Sequence, residues 1–590
     1  MARRDPHSYN DDTQVETEHV ALALRVDFAA HTLAGTATLA FKAPAATAGP
    51  LDLDTRDLTI EAVTDADGHA LPFTLHPAEP ILGARLSIEL PTGTTAVTIR
   101  YRTSPEASAL QWLEPAQTLG GARPFLFSQC QAIHARSVVP LQDTPRLRIR
   151  YTAELTIPRE LTAVMAAAHT GRTEITEHDG TSALAVDRWE MPQAIPPYLL
   201  AFAVGDLASR DLSPRCRVWA EPAQLDAAAW EFAEVEEMIT AAEALFGPYE
   251  WERFDVLTMP PSFPYGGMEN PRLTFITPTV IAGDRSLVDV LAHELAHSWT
   301  GNLVTNANAE HFWLNEGFTV YAERRITEAR HGVEVAALSA ALGRRELEQA
   351  IARFAAHPEL TRLHTQLAGV DPDDAYSVVP YEKGYAFLAA IEAWAGRPAF
   401  DEWLRAWLEM YRFGAATTDD FRAHLAWRLP GALEAVGADT WLEGEGLPAS
   451  ARPIRSARLD AIAAIGARVP TEEETETWSA TEWQLYLEGL PRPTDVATCR
   501  ALDARFALTA RTNFDVLVTW LGVALAAGDH AVLDRVEEVL TTVGRMKYLR
   551  PLYAALAADA ATRERARAIF AKARAGYHPI ARQLVESILR

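Results

Sequence analysis

The chain has 590 residues, too many for one hydrophobic core, so three or four domains are expected. With 48% hydrophobic and 23% charged residues it has the composition of an ordinary water-soluble globular protein. Its 54 basic and 79 acidic residues leave a formal charge of −25, which argues against nucleic acid as a partner and is read otherwise as an aid to solubility.

The N-terminal stretch MARRDPHSYNDDTQ has two arginines but no apolar core behind them, so no signal peptide is expected. No run of 18 apolar residues occurs, so no transmembrane helix is expected either. Cys130, Cys216 and Cys499 are odd in number and far apart, against a disulfide framework, and none has the spacing of a zinc ribbon. By these absences the cytoplasm is the expected location, and a monomer the default state.

Residues 1–206 read as β structure. Val20, Leu22, Leu24, Val26 and Phe28 alternate strictly, and Leu33–Phe41 follows after a turn. Leu147, Ile149, Tyr151, Ala153, Leu155 and Ile157 alternate again up to Pro158. Asp67-Gly68 and Thr92-Gly93 are turn signals, and the expected sheet is mostly antiparallel. Prolines in Met191–Asp206 mark a change of organisation.

Residues 207–445 turn helical after a short β portion that includes Arg253–Met259. Gly266-Gly267-Met268-Glu269-Asn270 offers two glycines and a carboxylate, and on pattern alone reads as a plain turn. Next comes His293-Glu294-Leu295-Ala296-His297. In a helix over residues 287–300, with Ser286 as N-cap, Asp289 at N3 and Gly301-Asn302 as stop, His293 and His297 share one face. Two imidazoles at that spacing can hold one Zn²⁺, with Glu294 beside it to work on a water. A second helix over residues 311–331 carries Glu316, the natural third ligand. Two histidines and one carboxylate leave a position open, as catalytic zinc sites do. Glu323, seven residues beyond Glu316, reads equally as a support for a metal-binding histidine or as a surface glutamate. Farther on, Asp373, Tyr376 and Tyr381 lie close in sequence; Tyr381 follows a proline, and a buried structural tyrosine is the commoner reading of such a residue.

Leu442–Pro453 is rich in glycine and proline and reads as a linker. Residues 446–590 are then a succession of helices broken at Pro491, Gly528-Asp529, Gly544 and Gly576. They suggest a solenoid-like layer, with a compact bundle as the alternative. Arg545 and Lys547 read on their own as two cations on a solvated helix.

Taken together, GGMEN at 266–270, HELAH at 293–297, Glu316 in NEG and Tyr381 in PYEKG resemble the M1 family of zinc aminopeptidases. SQCQAIH at 128–134, WTGNLVTN at 299–306 and Gly544-Arg-Met-Lys547 make the fit closest to its leukotriene A4 hydrolase-like branch. The resemblance runs from about residue 15 to the end. It implies a multidomain α+β architecture: an N-terminal β saddle, a thermolysin-like catalytic domain and an all-α C-terminal domain enclosing a cleft. It further implies one zinc per chain on His293, His297 and Glu316, with Glu294 as general base and Tyr381 as the hydroxyl that stabilises the oxyanion. Glu269, with Gln131 and the backbone of Gly266, Gly267 and Met268, would hold the free α-amino group. Arg545 and Lys547 would bind the far carboxylate of a short peptide. Asp373 and Tyr376 match positions that serve a lipid-epoxide reaction in the leukotriene branch, which keeps an epoxide hydrolase open as the second reading. Asn308-Ala309-Glu310 has no aromatic where that branch is expected to have one. A metal-free binding protein on this scaffold is a third reading, and retention of every ligand and of Glu294 argues against it.

Overall fold

The computed structural model describes residues 5–176 and 183–590. Met1–Arg4, on which the reading of the N-terminal stretch partly rests, lie outside these residues. The first alternating segment forms the strand Thr17–Asp27, whose Val20, Leu22, Leu24 and Val26 are all buried. Period-2 alternation sends these residues to one face, and that face becomes core. The strand is central in a seven-stranded sheet. On one side it pairs antiparallel with Thr32–Phe41, and on the other it runs parallel to Ile149–Pro158, the second alternating segment. This parallel pair is one exception to an otherwise antiparallel sheet. Smaller sheets of four and three strands complete the β-rich region.

A five-stranded sheet follows, in the order Ala208–Ser213, Cys216–Ala220, Asp255–Thr258, Leu273–Ile276, Gly267–Met268. Gly267–Met268 is its edge, antiparallel to Leu273–Ile276. The GGMEN segment is therefore a two-residue edge strand and not the plain turn that its pattern suggests. Helix Asp289–Ala296 packs against this edge, Trp313–His331 packs on that helix, and Val333–Arg353 and Val379–Ala395 pack on Trp313–His331.

The last region is helical. Ala480–Gly489, Phe514–Ala526, Met546–Ala558 and Pro579–Leu589 stack one on the next, while Leu533–Thr542 packs on Arg563–Ala573 in a second layer. This alternation is the solenoid-like arrangement, not a compact bundle. The breaks fall at the prolines and glycines expected; Pro551 lies inside a helix without ending it.

Two fastenings bring the outer regions to the middle one. Arg148, from the β-rich region, donates to the carbonyls of Asn302 (2.8 Å), Leu303 (3.2 Å) and Gly414 (2.8 Å), gripping the loop that follows the histidine helix. From the helical region, the amides of Gly544 and Met546 donate to the carbonyls of Pro261 (2.9 Å) and Pro264 (3.0 Å), just ahead of the edge strand. Among the described residues, no helix is long and apolar enough to cross a membrane.

Candidate active site and metal centre

The histidine helix is shorter than its sequence suggests. It spans Asp289–Ala296 with Val288 as N-cap and no side-chain cap; Ser286 instead accepts a hydrogen bond from Asn513 at 2.6 Å. The cap was lost because Ser286 lies three residues ahead of the first helical residue and faces the C-terminal region. Leu291 and Leu295 bury one face, and the other carries His293 and Glu294 towards the cleft. Helix Trp313–His331 lies across it and brings up Glu316. Gly301, early in the loop between them, takes a left-handed φ of 111°, and a β-carbon there would run into Asn315 and His297.

Three ligand-type atoms converge. His293 Nε2 and His297 Nε2 are 3.2 Å apart, and Glu316 Oε2 is 3.5 and 3.6 Å from them. Bonds of about 2.0–2.1 Å in a tetrahedral arrangement place zinc ligands about 3.3–3.4 Å apart, so this triangle has the right size. The tautomers also follow. Thr300 O, 3.0 Å from His297 Nδ1, can only accept, and the Glu323 carboxylate lies 2.9 Å from His293 Nδ1. Each Nδ1 therefore carries the proton, and both Nε2 lone pairs face the centre together with Glu316 Oε2, a buried atom with no hydrogen-bond partner. Three acceptors facing one point demand a cation. Burial pushes His297 down to about 4, so its ring is neutral and free to ligate. Burial also opposes a charge on His293, but the carboxylates of Glu316 and Glu323 outweigh it and raise its basicity well above the usual imidazole range. Glu323 is thus no surface residue. Its signal in the sequence was the seven-residue step from Glu316, two helical turns on the same face.

Glu294 is buried, and Gly267 lies so close to it that a β-carbon would overlap its carboxylate. Ligand atoms of Glu269, Glu294 and His297 lie within 4.8 Å of one another. Burial raises both carboxyls, and the like charges of Glu269 and Glu316 raise Glu294 further. Glu269 accepts from Gln131 Nε2 at 3.2 Å, and its carbonyl accepts from Asn302 Nδ2 at 2.7 Å. In the sequence Asn302 reads only as a helix stop, because a buried asparagine has no pattern that marks it as a site residue.

The Tyr381 ring stacks on His293 at 6.0 Å and meets Phe312 edge-on at 6.1 Å. Burial, reinforced by Glu316, holds its phenol well above the usual range, so the hydroxyl remains a donor. Tyr376 OH lies 3.2 Å from Tyr381 OH. Asp373 is exposed and engaged by His134 Nε2 at 2.9 Å. Arg545 is buried against the edge strand: its guanidinium would stand 2.7 Å from a β-carbon on Gly266, and it donates to Tyr548 OH at 3.0 Å and Thr279 Oγ1 at 3.3 Å. Lys547, two residues on, has its ammonium ion-paired with Asp515 at 2.9 Å.

A buried zinc triad with an adjacent glutamate, set against a sheet edge, defines a zinc-dependent hydrolase of the metallopeptidase class. Three family models match: "Peptidase M1 N-terminal domain" over residues 5–199, "Peptidase family M1 domain" over 230–441 and "Leukotriene A4 hydrolase, C-terminal" over 478–589. The chain is 38% identical to leukotriene A-4 hydrolase of Xenopus laevis, over 98% of each chain. It is 36% identical to leucine aminopeptidase 2 of Sclerotinia sclerotiorum, over 100% of each. The fold matches yeast LTA4 hydrolase in complex with bestatin with a TM-score of 0.92 and 33% identity, covering 100% of this chain and 97% of that one. The chain belongs to the M1 peptidase family, in its leukotriene A4 hydrolase-type branch. It is a metallo-aminopeptidase-type hydrolase whose cofactor is one Zn²⁺, and the donor triangle fits that ion.

Proposed function

We propose that this enzyme removes the N-terminal residue of short peptides, and that the division of labour lies among the residues just described. The observation that carries the reading is the pair of buried carboxylates, Glu269 and Glu294, at the sheet edge. One is needed for proton transfer. The other is costly to bury unless a cation meets it, and a substrate α-ammonium is such a cation. An endopeptidase would gain nothing from it.

His293, His297 and Glu316 hold the zinc, which when bound makes water a competent nucleophile near neutral pH by lowering its pKa from ~15.7 towards ~7. Glu294 takes the proton of the attacking water and later delivers it to the leaving amine. Tyr381 OH donates to the oxygen that gains charge at the scissile carbonyl. Glu269, oriented by Gln131, binds the ammonium and sets the reach of the substrate, while Gly266, Gly267 and Met268 present backbone along the peptide. Arg545 reads the far carboxylate. Lys547, already paired with Asp515, supports that end through the local field. The organisation behind this is three domains, 1–206, 207–445 and 446–590. The acidic surface argues against nucleic acid as a partner, and three free, buried cysteines support a cytoplasmic location.

Three outcomes test these roles. Peptides with an acetylated N-terminus turn over at least about 100-fold more slowly than free ones in a kcat/KM comparison, since Glu269 then faces a neutral amide; equal turnover removes Glu269 from ammonium recognition. Arg545→Ala reduces tripeptide kcat/KM by about 10–100-fold and leaves aminoacyl-anilides, which lack the carboxylate, nearly unchanged; equal losses on both contradict the role. Glu323→Gln weakens zinc affinity by about 10–100-fold in a chelator competition assay, and unchanged affinity contradicts its support of His293.

A second activity, opening of a lipid epoxide, is favoured by one observation, the exposed Asp373 and the Tyr376 hydroxyl beside Tyr381 at the cleft. Hydrolysis of an epoxide substrate to a diol, lost in Asp373→Asn, supports it; an unreacted epoxide in an enzyme active on peptides excludes it.

A further inference from the structure

Tyr381 occupies the first turn of helix Val379–Ala395, where backbone hydrogen bonding is thinnest. Side chains must hold that turn in place. The helix crosses Trp313–His331, the helix carrying Glu316, at a glycine-to-glycine contact: a β-carbon on Gly317 would lie 2.7 Å from Gly384 Cα. The crossing itself therefore holds no side chain, and the helices are tied beyond it, Trp313 packing on Phe387 at 5.8 Å and Tyr321 OH donating to Glu392 at 2.7 Å farther along.

One buried ion pair ties the two helices next to Tyr381 itself. Glu382, the residue after Tyr381, accepts from Arg324 Nη2 with both oxygens, at 2.7 and 2.9 Å. Both side chains are buried, and Arg324 also lies over the Tyr385 ring at 4.0 Å. Arg324 belongs to the same helix as Glu316, seven residues or about 10 Å beyond the Gly317 crossing. The neighbouring helix Val333–Arg353 leaves room for the carboxylate, since a β-carbon on Gly343 would overlap it. On the other side Lys383 Nζ donates to the carbonyls of Thr361 (2.8 Å) and Gly444 (2.7 Å). The tyrosine turn is thus braced to the metal-ligand helix by Glu382, and by Lys383 to Thr361 ahead of it and Gly444 in the following linker.

We propose that Arg324 and Glu382 are positioning residues that fix the Tyr381 hydroxyl relative to the metal centre. The proposal rests on the role given to Tyr381 above. A tilt of about 10° at the first turn moves that hydroxyl by about 1 Å, and a misplacement of that size costs up to about 10²-fold in rate. Binding of the substrate ammonium, by Glu269 on the sheet edge, does not pass through this brace. Its loss therefore acts on kcat and spares KM.

The test measures kcat and KM on a free-amine aminoacyl-anilide in a double-mutant cycle. Glu382→Gln lowers kcat about tenfold or more with KM within about twofold. In a Tyr381→Phe background the same change adds less than about twofold, because the hydroxyl it positions is gone. Arg324→Met behaves like Glu382→Gln, whereas Arg324→Lys restores most of kcat, since a single nitrogen makes both contacts. Should Glu382→Gln not fold, the two Arg324 variants in both backgrounds read the same coupling. An undiminished kcat in Glu382→Gln, or an equal loss with and without the Tyr381 hydroxyl, overturns the proposal alone. Full kcat in Tyr381→Phe overturns the oxyanion role and the proposal with it.

Discussion

Replacing Glu294 by glutamine is expected to lower kcat for peptide hydrolysis by about 10²–10⁴-fold, the range typical of general acid–base groups, while zinc content stays at that of the parent enzyme. Glutamine keeps the shape of the side chain against Gly267 but accepts no proton. The metal set of His293, His297 and Glu316 is untouched, because Glu294 lies beside their triangle, between it and Glu269, without being one of its three ligands. Removing one of two neighbouring carboxylates also relieves like-charge repulsion. The variant should therefore fold at least as well as the parent, so lost activity cannot be ascribed to lost structure. Retained activity at full zinc would contradict the role of Glu294 as base.

The second large effect is at Tyr381. Tyr381→Phe should cost about 10²–10³-fold in kcat, equivalent to about 3–4 kcal/mol for one preorganised donor to a developing oxyanion. The ring contacts with His293 and Phe312 survive in phenylalanine, so the loss isolates the hydroxyl. KM should change little, because the ground-state carbonyl gains less from the donor than the charged oxygen does. A rise in KM at constant kcat would assign Tyr381 to substrate binding instead.

Much of this architecture was legible in the sequence where periodicity and spacing carry direct physical meaning. Alternation at Val20–Val26 and at Ile149–Ile157 gave the central strands because a half-buried sheet imposes period two. The four-residue step between His293 and His297 gave a ligand pair because a helix turns once in that distance. Other features depended on parts of the chain far apart. Ser286 looked like a cap locally, but Asn513, 227 residues later, claims its hydroxyl. GGMEN reads as a turn until Leu273–Ile276 supplies the strand that it pairs with. Lys547 stood beside Arg545 as a second carboxylate binder, and only the structure brings Asp515 to its ammonium. The brace between Arg324 and Glu382 lies 58 residues apart in a pair of helices, and nothing local distinguishes it from two surface charges.

The most direct test of the central claim is a zinc titration. Enzyme stripped by a chelator is supplied with increasing zinc while hydrolysis of a free-amine aminoacyl-anilide is followed. No hydrolysis is expected without metal, then a linear return of activity that levels off at one zinc per chain. Activity that survives stripping, or that returns only beyond a second equivalent, would contradict a single catalytic zinc on His293, His297 and Glu316.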